Sequence, residues 1–551
     1  MTLRRLGSFH QSRLSFMRQL LRRLKAEAWR FEKRAFEIDA RGVGHAVYAV
    51  HGPERSYSLV AFAHDLAPEM RSDRVIATAR DATFTLFDGV PEDDDIARLA
   101  ANVPRQEAGR ISERELSLSR ANRSVRLWDH VVERLAAGRQ PDAGKIAGVG
   151  YLMRTTAVYG SGKFGAADRE AIAGREEFRG PFQVEMLSVY LTRAFVMDLV
   201  EHIARARAPQ TAVALDPGLR RRFGIGNSTG LGMAPFLLNH PALLNNWIAA
   251  REEALARVRA LPRAGAAEAA QFRQMAARAH HHARLWQSAH PVQVRKVAAL
   301  RADMERLVGH LDNADLRADR PWDRLWLWAC DALSEEGQEQ LVSLLLEPYG
   351  DLVDDLGEDM GADEMAEWRI DGAMPLAELR RIVEEVYARA LATDWTDAQA
   401  QARIWYVSEE KLEPRLGERA DAALEPYEQP LCPGRDAARL HADLAGAGDA
   451  TVAEFLLRHP EHRHIARRAQ IAARLPYAEI RDNTIAAAML PIDLLRLKLS
   501  FFGASHFDPR SDRWVRINMY QNAPFPGELA HGPADDWGLP PLPEPKSEAS
   551  R

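Results

Sequence analysis

The 551-residue chain balances 73 lysines and arginines against 78 aspartates and glutamates for a formal net charge of −5, with 46% hydrophobic and 27% charged residues. That length exceeds one ordinary core and predicts two or three domains, and the charge lacks the basic excess of a general nucleic-acid binder. Two cysteines, Cys330 and Cys432, exclude a disulfide framework and a Cys-rich zinc site, and no run of about 18 apolar residues predicts a membrane span, so a soluble cytoplasmic protein is expected. Heavy use of alanine and arginine is that of a GC-rich bacterial genome.

Residues 1–34 form a basic segment: Arg4, Arg5, Arg13, Arg18, Arg22, Arg23, Lys25, Arg30, Lys33 and Arg34 face only Glu27 and Glu32. Leu14, Phe16, Met17, Leu20, Leu21, Leu24 and Trp29 recur at helical spacing, which predicts a helix docked by its apolar stripe with its arginines in water. The apolar core is too short for a secretory signal.

Residues 35–140 read as a small antiparallel sheet lobe with helices. Strands are expected at 46–50, 57–62, 74–78 and 82–87, where short β-branched and aromatic runs are separated by Gly52-Pro53, Arg80-Asp81 and Asp88-Gly89. From residue 119 helical spacing takes over. Helices are expected at 119–137, 181–206, 243–261, 268–311 with a break near Pro291, 323–346, 376–393 and 440–457. Residues 141–490 therefore form a large helical body. Residues 491–531 are a loop and strand returning to the sheet lobe, on the alternation of Arg513 to Tyr520, and 532–551 is a proline-rich, disordered tail. The fold class is mainly α with a minor antiparallel β-sheet (α+β): a large helical body plus a small N-terminal sheet lobe that the C-terminal strand would join. Between them, the acidic run from Asp351 to Glu367 does not match a calcium loop and reads as a solvated loop.

Four polar segments could carry chemistry. The first, Arg154 to Gly165, places Tyr159, Ser161, Gly162 and Lys163 in a glycine-rich loop suited to a small anion, though its spacing is not that of a P-loop. In the second, Gly226, Asn227, Ser228 and Thr229 could cap a helix and turn free N–H groups toward the same anion; the spacing is not a dinucleotide fingerprint. The third runs from Arg403 to Arg419, where Glu409 or Glu410 could move protons and Arg403 or Arg415 could clamp a carboxylate. In the fourth, His506 is the group best suited to proton transfer near neutrality.

No metal site is expected. His280, His281 and His282 point in different directions on a helix, and His462 and His464 lack helical i, i+4 spacing. Trp322, Trp326 and Trp328 read as core. Phe236 to Pro241 echoes Phe455 to Pro460, which reads as a recurring helix junction.

These residues imply a cytoplasmic enzyme acting on a small carboxylate- or phosphate-bearing substrate by acid/base chemistry in an interlobe cleft, with no cofactor identified. The alternatives are a non-catalytic helical scaffold protein, or a sensor that binds the same anion without turnover.

Overall fold

The computed structural model describes residues 10–64, 81–104, 110, 112–155, 165–166, 172, 174–229, 241–287, 291–358, 360, 369–396, 433–477, 500, 503–511 and 514–539. The fold is α+β, mainly helical around one sheet. Among the described residues no helix is long and apolar enough to cross a membrane.

Among the described residues the sheet has ten strands, more than expected. They are β1 (Arg30–Ile38), β2 (Gly44–His51), β3 (Ser56–Ala63), β4 (Ala82–Asp88), β5 (Glu115–Arg123), β6 (Tyr151–Thr155), β7 (Gly165–Ala166), β8 (Gly224–Thr229), β9 (Ala504–Ser511) and β10 (Trp514–Met519). The order is β1-β2-β3-β4-β5-β6-β8-β10-β9, with β7 on β5. It is mixed rather than antiparallel, because β6 and β8 run parallel while their other neighbours alternate. Strand β5 occupies the start of the helix expected at 119–137, and only Trp128–Ala136 is helical there. The basic segment likewise ends its helix at Ala26, and β1 begins at Arg30. The strand expected at 74–78 lies outside the described residues.

Strands β2 to β4 are apolar on both faces because both are covered. Tyr48, Val50, Leu59, Phe84 and Leu86 face the main core, and Val47, Val60, Phe62 and Leu118 pack under Leu99 and Val103. The helices are α1 (Phe16–Ala26), α2 (Asp93–Asn102), α3 (Trp128–Ala136), α4 (Ala143–Val149), α5 (Gln183–Arg207), α6 (Pro217–Arg221), α7 (Pro241–Arg259), α8 (Ala266–Leu285), α9 (Pro291–Asn313), α10 (Pro321–Ala332), α11 (Glu335–Leu346), α12 (Leu376–Val386), α13 (Pro433–Leu444), α14 (Val452–Arg458) and α15 (Arg463–Arg474). Two spans expected as single helices are each divided. Leu333 and Ser334 separate α10 from α11, and a capping box at Thr451 starts α14 after α13 has ended.

Helix α5 is the spine. It is buried almost all round, the pattern of a helix with structure on every side. It packs against β2 to β5, α1 and α3. Its cation Arg193 is fully buried, and among the described residues no carboxylate pairs with it. Its Nε donates to Phe223 O at 2.7 Å, Nη1 to Ala523 O at 2.9 Å and Nη2 to Arg221 O at 3.1 Å, while the guanidinium lies 3.8 Å from the Phe525 ring centre. Burial pulls its pKa down to about 9.

The arginines of α1 and the turn before it are not in water. Arg18, 0% exposed, makes a two-point pair with Glu347 at 2.6 and 2.8 Å and reaches Asp535 at 3.1 Å. Arg13 makes a second two-point pair with Asp354, both bonds 2.7 Å, and Arg22 bridges Asp354 and Asp535. The acidic run read as a solvated loop therefore docks the basic segment, with Arg23 on Glu358 and Arg257 on Asp355 completing it. Burial works to raise the Asp535 carboxyl, but the guanidinium groups of Arg18, Arg22 and Arg13 overcome it and hold it at about 2.

His10 sits beside this network, fully buried, and accepts from Gln340 Nε2 at 2.5 Å. Burial lowers it from 6.5 to about 4. The unfolded chain therefore binds a proton that the folded chain refuses between those pH values, so stability falls on acidification across that window. The wild type should lose about 3 kcal/mol from this group between pH 6.5 and pH 4. Urea unfolding should show that slope flattened in His10→Gln; parallel pH profiles for the two proteins would contradict it.

Candidate functional site

The candidate residues named from sequence fall into two sets. Tyr159, Ser161, Gly162, Lys163, Arg403, Glu409, Glu410 and Arg415 lie outside the described residues. Arg154, Gly226, Asn227, Ser228, Thr229 and His506 fall on strands of the sheet.

Gly226, Asn227, Ser228 and Thr229 do not cap a helix. They form β8, pairing with β10 along the whole stretch, and Gly226 and Asn227 also pair with β6. Their backbone belongs to the ladders, so the cradle of free amides expected there is not formed. The glycine has a packing cause instead: a Cβ at Gly226 would meet the Tyr151 ring at 2.5 Å. A bulge between Tyr151 and Arg154 sets Tyr151 opposite Gly224 and Arg154 opposite Gly226. Asn227 is buried, and its Nδ2 donates to Thr155 O at 3.3 Å.

The register brings separate segments into one row. Asn122 pairs with Arg154, Arg154 with Gly226, Gly226 with Asn518, and Asn518 with His506. With strands about 4.8 Å apart, Arg154 and His506 are about 14 Å apart along the backbone. Arg154 is half-buried and Asn518 fully buried. The Asn518 amide donates to Val149 O at 3.2 Å and Gln521 Oε1 at 3.3 Å, holding the turn that enters β6.

A second arrangement was not among the sequence candidates. A groove of about 430 Å³ lies between β1–β2, α5, α6 and the chain after β10. Phe31, Leu191, Ala194, Leu215, Pro217 and Phe525 supply apolar walls, and Asp198 of α5 is the polar centre. Tyr48 Oη donates to Asp198 Oδ2 at 2.7 Å, Lys33 Nζ at 2.9 Å, and Arg220 Nη2 to Oδ1 at 3.2 Å. Burial first, then the Asp198 charge, raise the Tyr48 phenol far above its ordinary value, so it remains a donor. Lys33 and Arg220 thus share the Asp198 carboxylate, and the carboxylates of Glu32 and Glu528, paired with Arg34 and Arg221, also line the groove. Arg220 Nε is buried without a hydrogen-bond acceptor among the described residues, and its guanidinium lies 4.7 Å from the Phe525 ring centre. The sequence signal was present in Arg220 and Lys33, but their shared partner lies on α5, far along the chain from Lys33.

Another depression, about 520 Å³, opens between α12 and α15. Its polar lining includes Arg381, paired to Glu385 one helical turn on at 3.3 Å, and Gln470, whose amide is bonded to the Asp371 backbone. Trp322 and Trp326 are buried as expected of core, and Trp328 stacks on His310 at 3.8 Å.

Among the described residues one group could hold a metal ion: ligand atoms of Asp443, His459 and Glu461 all lie within 4.8 Å of one another. Sequence reading missed it because Asp443 comes from a different helix.

Comparison with known proteins supplies no relative: no family model, no curated protein and no solved structure matches the chain.

The Gly226–Tyr151 contact gives a direct check on the β6–β8 junction. Gly226→Ala should destabilise by about 1–3 kcal/mol through overpacking, and Tyr151→Ala in the same chain should recover part of that loss. Additive effects of the two substitutions in urea unfolding would show that the ring does not set the glycine.

Proposed function

We propose that the protein binds a small molecule with an apolar body and a carboxylate or phosphate head in the groove beside α5. The observation that carries this reading is the convergence of Lys33 and Arg220 on Asp198, with Arg220 Nε buried and still lacking an acceptor. An anionic oxygen at Arg220 Nε would satisfy that donor, and the aromatic and aliphatic walls would receive the remainder of the ligand. The volume is within the range of small-molecule sites. In this reading the groove occupies the junction of the sheet lobe with the helical body, and Tyr48 orients the carboxylate that separates the two cations.

Acid/base turnover of an anion held on the sheet at Arg154, instead of in the groove, is the second reading, favoured by the register that sets His506 in one row with Arg154. In it Arg154 pairs with the anion and His506 moves the proton. The two readings differ in outcome: a sensor returns its ligand unchanged, and an enzyme does not.

Thermal-shift screening against amphipathic carboxylates and phosphate esters should find compounds that raise the melting temperature, as ligands of the folded state do. Arg220→Met should weaken such a compound at least tenfold, consistent with loss of a charge-assisted contact of about 1.5–3 kcal/mol. Lys33→Met should weaken it while shifting the ligand-free melting temperature little, because its pair with Asp198 is half exposed. A compound bound equally by both variants would remove the groove from consideration. Mass analysis of the incubated compound, with wild type and His506→Ala, separates turnover from binding.

A further inference from the structure

We propose a second site, independent of the groove: a divalent transition-metal centre formed by Asp443, His459 and Glu461 at the junction of α13, α14 and α15. It is built by a helix break. Pro460 cannot continue α14, so the chain leaves it at His459, makes a single 3-10 turn over Pro460–His462 and restarts as α15 at Arg463. The break turns His459 and Glu461 toward each other, with Nδ1 and Oε1 3.4 Å apart. Helix α13 brings Asp443 to the same point, and one ligand atom from each residue lies within 4.8 Å of the others.

Two features orient these ligands. His462, 6% exposed at its side chain, places Nε2 2.7 Å from Asp443 Oδ2, the kind of outer contact that fixes a metal-binding carboxylate. The His459 ring stacks on the buried Phe455 ring at 4.7 Å, and Phe455 also lies parallel to His462 at 5.8 Å. A rigid aromatic ring therefore sets the imidazole plane.

The donor set decides the ion. With neutral imidazoles the cluster carries two negative charges at close quarters, which a divalent cation would neutralise. One imidazole nitrogen with two carboxylate oxygens suits zinc or cobalt better than magnesium or calcium, which prefer all-oxygen shells. Three protein ligands leave a position open to water, the arrangement of a reactive rather than a closed structural centre.

The probes are Co²⁺ and Zn²⁺ added to the full chain after chelator treatment. Co²⁺ should produce a visible d–d absorption that saturates at about one equivalent and is displaced by Zn²⁺, as expected of a low-coordinate nitrogen–oxygen site. His459→Ala and Glu461→Gln should each reduce Co²⁺ affinity at least tenfold, and His462→Gln by about 10–100-fold, as for a residue positioning a ligand. The Glu461 side chain is 52% exposed, so Glu461→Gln keeps its fold even if His459→Ala does not. No cobalt absorption, an absorption unchanged by Glu461→Gln, or one lost instead on replacing His280, His281 and His282 would overturn the assignment. Since none of these readouts involves the groove, failure here is distinguishable from failure of anion binding there.

Discussion

A buried guanidinium that pairs directly with no carboxylate among the described residues organises the centre of this molecule. Arg193 donates to the carbonyls of Phe223, Arg221 and Ala523, and these three belong to the chain entering β8 and the chain leaving β10. The two strands are far apart in sequence yet adjacent in the sheet. Burying the charge is unfavourable, and the fall of its pKa to about 9 records that. The cost is tolerable because each guanidinium nitrogen donates to a carbonyl and the Phe525 face lies under the cation. A methionine of similar length would fill the space but leave three carbonyls without that donor. Helix α5 thus contributes a clamp as well as an apolar surface.

The ends of the chain meet a second buried-charge problem and solve it differently. Arg18 is as buried as Arg193, but it has Glu347 in two-point geometry and Asp535 behind it. Together Arg13, Arg18 and Arg22 meet Glu347, Asp354 and Asp535, three cations against three anions. Balanced pairs of this kind rarely add more stability than apolar residues would, yet removing one partner strands another. Their consequence is specificity. A slip among the N-terminal helix, the turn after α11 and the segment near residue 535 would leave a buried charge unpaired.

Much of the helical architecture was legible in the sequence, and the reasons differ by element. Helix α5 and the pair α8–α9 follow from long runs of 3.6-residue spacing, with Pro291 marking the break. Strands β2 to β4 follow from short β-branched runs between turn residues. Strand β5 did not, because its second half, from Ser119 to Arg123, reads as the start of the helix that follows. Strand β8 did not, because its glycines signal a turn until the Tyr151 ring is known to lie against Gly226. The candidate sites were less legible still. Lys33 with Asp198 and Asp443 with His459 are pairings made by tertiary structure, and no local spacing encodes them.

The clamp and the groove share one side chain, which bears on how the groove would bind. Phe525 has the Arg193 guanidinium 3.8 Å from its ring centre and the Arg220 guanidinium 4.7 Å from it. The ring is therefore both part of the buried clamp and a wall of the groove. Arg193 also holds the carbonyl of Arg221, the neighbour of Arg220, so the backbone presenting the groove cation is tied to α5. Asp198, which orients that cation, lies on the same helix five residues further on. A ligand reaching Arg220 would meet a cation already ordered by Asp198, by Phe525 and by the backbone behind it. Little conformational freedom would remain to be lost on binding, and preordered groups of this kind convert more of their contact energy into affinity. The feature that makes α5 hard to bury, a charged side chain in its middle, is thus also what ties the backbone beside Arg220 to the helix.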